Sequence, residues 1–148
     1  MSREQRIELL LRVAEEQGQD ASRALAHRRQ VLNEAGLRLD ELIGYRQEYV
    51  GAPAAQAGGG LGVQLQDYWS FMSRLNTAIA EHRERMDQQT QAVEQSLARW
   101  QETQRQVAVL EKVVERIRST DRIAQERGDQ RAMDELARAG APTPYGKL

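Results

Sequence analysis

Apolar residues recur along the first part of the chain in steps of four and three, the heptad spacing of a coiled-coil helix. This first stripe consists of Ile7, Leu11, Ala14, Gly18, Ala21, Leu25, Arg28, Leu32, Ala35, Leu39, Leu42, Arg46 and Tyr49. Small residues alternate with large ones, so a partner backbone can approach closely along this side. Ser2 and Gln5 have the spacing of a capping box. We therefore predict a helix over residues 3–50.

The later part of the chain carries a stricter repeat, with an apolar residue at every seventh position: Met72, Ile79, Met86, Val93, Trp100, Val107 and Val114. A sustained seven-residue repeat predicts a left-handed supercoil. A second row, apolar at its ends and polar in its middle, consists of Leu75, His82, Thr90, Leu97, Gln104, Leu110 and Ile117. The pattern predicts a helix over 65–127, ended by Gly128 in a left-handed cap, and a short helix over 130–139.

A glycine-rich segment that also contains Pro53 separates the two stripes and predicts a loop over residues 51–64. Helix-forming residues dominate on both sides of it. Two amphipathic helices joined by a loop can bury their stripes against each other. The predicted fold is therefore all-α, an antiparallel coiled-coil hairpin over residues 1–139 as a single domain. Residues 140–148, which contain glycine and two prolines, are predicted to be a disordered tail.

The second predicted helix is longer than the first one. At 1.5 Å per residue the two helices measure roughly 70 Å and about 90 Å. Counting outward from the loop pairs residues whose numbers sum to about 115, so residues beyond about Lys112 have no partner in this chain. This predicted overhang contains Arg116, Arg118, Arg122 and Arg127. A solvated, frayed helix end and a surface completed by another protein are both consistent with its composition.

Aromatic residues cluster around the predicted loop. Five of the seven lie within 27 positions of one another: Tyr45, Tyr49, Tyr68, Trp69 and Phe71. A stripe beside the main one consists of Phe71, Leu75, Ala78 and His82. Flanking positions of a two-stranded coiled coil stay partly exposed, so this stripe predicts an apolar docking surface. The alternative is that these side chains fasten the open end of the hairpin, and both roles can coexist.

Composition and charge disfavour or exclude several classes of function. The formal net charge is −1 and cysteine is absent, which disfavours nucleic-acid binding and excludes thiolate chemistry. No apolar run approaches the roughly 18 residues of a membrane span, and a signal-peptide core is missing at the N-terminus. We therefore expect a soluble cytoplasmic protein without direct membrane insertion.

Catalytic chemistry is not indicated. His27 and His82 lie several turns apart in the predicted register, and the glycine-rich loop lacks the Lys-Ser/Thr of a phosphate-binding loop. No nucleophile, base and orienting group come together. We expect no catalytic residues, no cofactor and no metal.

The pattern Leu-x-x-Tyr-x-x-Glu-Tyr over 42–49, a short loop, and Phe-x-x-x-Leu-x-x-Ala-Ile-x-x-His over 71–82 resembles the FliJ proteins of the bacterial flagellar type III export apparatus. Trp100 and the tail motif Asp-Gln-x-x-Met-Asp-Glu over 129–135 extend the resemblance over nearly the whole chain. The resemblance implies an antiparallel two-helix coiled coil, similar in shape to the central shaft of rotary ATP synthases.

The resemblance also implies partners: the flagellar export ATPase, whose ring receives the free helix ends, the cytoplasmic part of the export-gate membrane protein, and export chaperones. Positions that match the family's gate-docking set are Leu42, Tyr45, Tyr49, Phe71, Leu75, Ala78 and His82. The expected ATPase contacts are Arg116, Arg118, Arg122 and Arg127. On this interpretation the protein is a non-enzymatic stalk that promotes ATPase assembly and associates peripherally with the inner face of the membrane through the gate.

Two alternatives remain open. The first is a generic cytoplasmic coiled-coil scaffold or chaperone that self-associates through the overhang, which a stable dimer would favour. The second is a small helical enzyme, which would have to show a thermal shift on binding a ligand.

Overall fold

A computed structural model describes residues 1–51 and 62–140. Helix α1 spans Arg3–Gly51 and helix α2 spans Gly62–Gly140, and these residues contain no strand. The predicted all-α helical-hairpin class is confirmed. The second helix is the longer one, with 79 residues against 49 in α1.

The start of α1 confirms the predicted capping box. The Gln5 backbone N–H donates to Ser2 Oγ at 3.2 Å, and the Ser2 N–H donates to Gln5 Oε1 at 2.9 Å. The two residues thus satisfy backbone donors that the first helical turn leaves without an intrahelical acceptor.

The predicted end of the second helix is wrong, because α2 continues without a break through Gly128 to Gly140. Gly128 has no positive φ and therefore forms no left-handed cap. A glycine inside a helix costs only about 1 kcal/mol relative to alanine, and the residues on both sides are good helix formers. The segment 130–139 is thus part of α2 rather than a separate helix.

The predicted loop is also shorter than expected at both ends, since Gly51 belongs to α1 and residues 62–64 belong to α2. The rest of that loop, residues 52–61, lies outside the described residues. The same holds for residues 141–148 of the predicted tail, whereas Gly140 is the last residue of α2.

The chain divides into two compact units, and each contains a part of both helices. The terminal unit combines Met1–Gln17 with Gln104–Leu148, and the central unit is Gly18–Thr103.

The central unit has its apolar core near one end, where Leu39 of α1 meets three residues of α2. The buried cluster consists of Leu39, Met72, Leu75 and Ile79. Ile79 is the most deeply buried of them, with 1% of its surface exposed. Leu42, Ile43, Tyr68, Phe71 and Met86 are partly buried against this cluster.

The helix register in the central unit differs from the counted one. Counting placed Trp69 opposite Arg46, but Arg46 Nη1 donates instead to Asn76 Oδ1 at 3.4 Å. The helices are antiparallel, since Tyr49 contacts Phe71 and a side-chain carbon on Gly36 would lie 3.6 Å from Met86 Cε.

Burial confirms the main stripe of α2 and corrects its second row. Every main-stripe residue of α2 is buried or half-buried, and on α1 only Arg28 and Tyr49 of the first stripe are exposed. Thr90 and Gln104 are exposed instead of lying in the second row. That row keeps the seven-residue spacing through Leu75, His82, Gln89, Ser96, Thr103, Leu110 and Ile117. Polar side chains at strict heptad positions hid the row from a search for apolar residues.

In the terminal unit α2 is paired further along than predicted. Val114 and Ile117 are buried, although both follow Lys112. Arg118 Nε and Nη2 donate to Glu4 Oε1 and Glu8 Oε1 at 2.8 and 2.6 Å. From Thr120 to Gly140 every residue is exposed. We call residues 120–140 the exposed extension; it replaces the predicted overhang.

Candidate partner-binding surfaces

The predicted gate-docking residues all lie in the central unit, near its apolar cluster. We call this set the aromatic surface: Leu42, Tyr45, Tyr49, Phe71, Leu75, Ala78 and His82. Helical spacing places the first three on one face of α1 and the other four on one face of α2. The structure brings the two helix faces together through a ring contact between Tyr49 and Phe71, whose centroids lie 4.6 Å apart at an interplanar angle of 39°.

Part of the aromatic surface holds the two helices together. Leu75 is buried within the cluster, with 7% of its surface exposed. Leu42 and Phe71 are half-buried and pack against that cluster. These three side chains fasten the helices, and the tilted contact of Phe71 with Tyr49 adds to the apolar packing.

The other part of the aromatic surface faces solvent. Tyr45 is 53% exposed and Tyr49 is 41% exposed, while Ala78 and His82 are half-buried. A phenol ring offers apolar area and a hydroxyl at low entropic cost, which suits protein recognition. The fastening role thus applies to the buried members of the set, and the exposed members are the ones that a partner could reach.

Sequence reasoning left Trp69 out of the docking set, although it belongs to the aromatic group around the loop. Its side chain is 64% exposed, and its ring meets Tyr68 edge-on at 5.7 Å. Val50 and Leu65 are also exposed in this part of the central unit. The sequence signal that could have found Trp69 is its place beside the second row, since one heptad before Leu75 falls on Tyr68 and not on Trp69.

The four predicted arginines lie in the terminal unit, and they do not form one surface. Arg118 and Arg122 line a groove with Arg12, Glu8 and Glu15 of α1. Arg116 lines a different groove, and Arg127 lies on the exposed extension. Positive charge is thus distributed around α2 and interleaved with carboxylates.

Arg118 already has partners within the terminal unit. Hydrogen bonds to Glu4 and then to Glu8 raise the pKa of the Arg118 guanidinium above its usual value. Nε donates to Glu4 and Nη2 to Glu8, so the arginine joins two successive turns of α1. The arrangement fixes α1 against α2 and leaves Arg118 less available to another protein than its neighbours.

The exposed extension carries apolar side chains that the sequence analysis did not single out. Met133 is 67% exposed and Leu136 is 72% exposed, and Ile123 lies nearer the start of the extension. Met133 and Leu136 are three residues apart, so they are neighbours on one face of the helix. They are interspersed with charged residues, which obscured them in a search for heptads.

Within residues 1–51 and 62–140, no three histidine, aspartate or glutamate side chains gather as a metal site would require. Neither of the two helices contains a stretch apolar enough to cross a membrane over the residues described.

Comparison with known proteins identifies the family. The family model described as "Flagellar FliJ protein" matches residues 3–141 of this chain. The chain belongs to the FliJ family. The "Flagellar FliJ protein" of Salmonella typhi is 31% identical over 136 residues, which cover 91% of this chain and 92% of that protein. The protein of the same description from Escherichia coli (strain K12) is 31% identical over 130 residues, which cover 87% and 88%.

FliJ membership confirms the resemblance that the tyrosine and phenylalanine patterns indicated. The match covers both helices, so it supports a role in flagellar protein export for the chain as a whole.

Proposed function

We propose that this FliJ-family chain is a non-enzymatic stalk of the flagellar export apparatus that contacts the export ATPase through the exposed extension. The observation that carries the proposal is the exposure of every residue from Thr120 to Gly140 in a continuous helix. Met133 and Leu136 are displayed there, and both are exposed among the residues that the structure describes. Large apolar side chains grouped on an exposed helix face are typical of a surface that another protein covers.

The stalk requires no chemistry of its own. A partner that binds only the assembled form of the ATPase ring raises the population of that form by mass action. The extension would thus increase hydrolysis by favouring ring assembly. The arginines Arg122 and Arg127 would contribute charge contacts, whereas Arg118 stays bound to Glu4 and Glu8.

The aromatic surface provides the second contact in this proposal, with the cytoplasmic part of the export-gate membrane protein. Tyr45, Tyr49 and Trp69 offer exposed rings, while Leu75 and Phe71 hold the helices that display them. A protein bound in this way is cytoplasmic and associates with the inner face of the membrane through the gate. Export chaperones would be further partners, bound transiently.

The test is ATP hydrolysis by the purified cognate ATPase, titrated with the full chain and with a chain that ends at Ser119. That truncation keeps the buried residues Val114 and Ile117 and the ion pairs of Arg118, so the terminal unit retains its packing. A chain that ends at Gly140 is the matched control. We expect stimulation by the full chain and the control, and none by the Ser119 truncation. Equal stimulation by all three would overturn the assignment.

A self-associating scaffold is the second candidate function, because Met133 and Leu136 could equally be covered by another copy of the chain. Size-exclusion chromatography with light scattering distinguishes the two. The stalk proposal predicts a monomer at micromolar concentration, whereas a stable dimer that is lost on truncation at Ser119 would favour the scaffold.

A further inference from the structure

The middle of the central unit contains no fully buried side chain on either helix, and the main-stripe residues Met86, Val93 and Trp100 are only half-buried there. On α1 the stretch 26–38 lies between the buried residues Leu25 and Leu39. On α2 the stretch 80–102 lies between Ile79 and Thr103. The closeness of the Gly36 position to Met86 shows that these stretches face each other. We call residues 26–38 and 80–102 the polar segment.

Polar residues at seam positions account for the missing core. In its second row α2 places His82, Gln89 and Ser96, where a coiled coil ordinarily has leucine. On α1 the stripe position Arg28 is exposed. Each of these replacements removes apolar area that would otherwise be buried between the helices.

One atom in the polar segment is buried without compensation. Gln89 Oε1 is inaccessible to solvent and has no hydrogen-bond partner. An amide oxygen that loses water without gaining a donor destabilises the closed arrangement. Separation of the helices at this point would return that oxygen to water.

We propose that the polar segment opens as a local unit, in which α1 and α2 separate and admit water while the cluster around Ile79 stays packed. Stretches with few buried apolar contacts are the ones that open at low free energy. Once separated, each stretch loses the packing from which a protein helix takes most of its stability, so its intrahelical hydrogen bonds open more readily. The two-helix chain thereby contains a section that opens more easily than the sections beside it. This inference does not depend on the ATPase and gate contacts.

Hydrogen exchange of the full chain, followed by mass spectrometry, measures this opening. Amides of residues 26–34 and 88–98, beyond the contact of Met86 with the cluster, should exchange at least tenfold faster than amides of residues 39–46 and 72–79, which adjoin the buried cluster. Protection in the polar segment equal to that beside the cluster would overturn the proposal.

A matched pair of variants tests the physical cause. Gln89→Leu replaces the uncompensated amide at a half-buried seam position, and Thr90→Leu makes a similar change at the exposed position beside it. We expect Gln89→Leu to slow exchange in the polar segment at least threefold, with Thr90→Leu at the wild-type rate. Ser96→Leu, one heptad further along, should act in the same direction. Unchanged exchange in both Gln89→Leu and Ser96→Leu would refute the assigned cause.

Discussion

Two regions of α2 carry large apolar residues, which are buried in one region and exposed in the other. Around Ile79 the side chains of α2 are buried with Leu39 of α1, so the helix is held by packing within the chain. In the exposed extension Met133 and Leu136 face solvent. The apolar face of the first region is covered by α1, whereas that of the second region is uncovered among the described residues.

The difference separates a part of α2 that is held by packing within the chain from a part that is not. Local contacts in the extension are few and weak, such as Gln130 Nε2 donating to Asp134 Oδ1 at 3.4 Å. Helices without tertiary packing are marginal in water, so a partner that covers this face also stabilises the helix. Mutations near Ile79 should therefore change folding, and mutations in the extension should change association.

The largest effect is expected at the buried cluster. Ile79→Ala should lower the free energy of unfolding by about 2–5 kcal/mol, because it leaves a cavity between the helices. The matched change Ile123→Ala, at an exposed position, should stay within about 0.5 kcal/mol of wild type. Urea unfolding followed by circular dichroism measures both. Similar losses for the two variants would contradict the division between the regions.

The aromatic surface should separate into fastening and docking members. Phe71→Ala should destabilise the chain by about 2 kcal/mol, less than a fully buried phenylalanine, because Phe71 is half-buried. Tyr45→Ala should leave stability within about 0.5 kcal/mol of wild type and weaken gate binding at least tenfold. Unfolding by urea and titration calorimetry against the gate's cytoplasmic part give the two readouts. If Tyr45→Ala lost its native fold without urea, the role of Tyr45 would be to hold the two helices together and not to dock the gate.

Substitutions in the exposed extension should weaken binding to the ATPase and leave the stability of the chain unchanged. Met133→Glu with Leu136→Glu should reduce ATPase affinity at least tenfold while the unfolding midpoint stays that of wild type. Leu37→Glu with Val109→Glu adds the same charge at two exposed apolar positions outside the extension and serves as the control. Full ATPase binding by the Met133 and Leu136 variant would show that these side chains are ordinary solvated surface.

The smallest effect is expected at Arg118. Arg118→Ala should lower the melting temperature in low salt, and the difference should shrink in high salt, where exposed ion pairs are screened. Because the pKa of Arg118 is raised in the folded chain, its contribution is present below the unfolded pKa and is lost only in strong alkali. The difference from wild type should thus persist from about pH 6 to about pH 9. Arg116→Ala is the neighbouring control, and an equal loss there would remove any special role of Arg118.

Much of the fold could be predicted because the stripes and the capping box are local signals. Ile79 and Val114 stand in a seven-residue repeat, and Ser2 with Gln5 needs no distant partner. The register could not be predicted, since it is set by contacts between residues far apart in the sequence, such as Tyr49 with Phe71.

The predictions of the second row and of the end of α2 were wrong for energetic reasons. Gln89 and Thr103 occupy seam positions despite their polarity, because the strong apolar positions on both sides set the helix orientation. Gly128 does not end the helix, because its cost of about 1 kcal/mol is offset by helix formers such as Arg127, Gln130 and Ala132 around it. For the aromatic surface, the sequence pointed to a set of residues but left out the exposed ring of Trp69, and it could not divide the set into buried and exposed members.

The central claim is that residues 120–140 bind the export ATPase and favour its assembled ring. The most direct measurement is the molar mass of the purified ATPase by light scattering, at a fixed concentration, with the full chain or with the chain that ends at Ser119. The account predicts that the full chain shifts the ATPase to the assembled ring and that the truncated chain leaves the mass unchanged. An equal shift by both chains would contradict it.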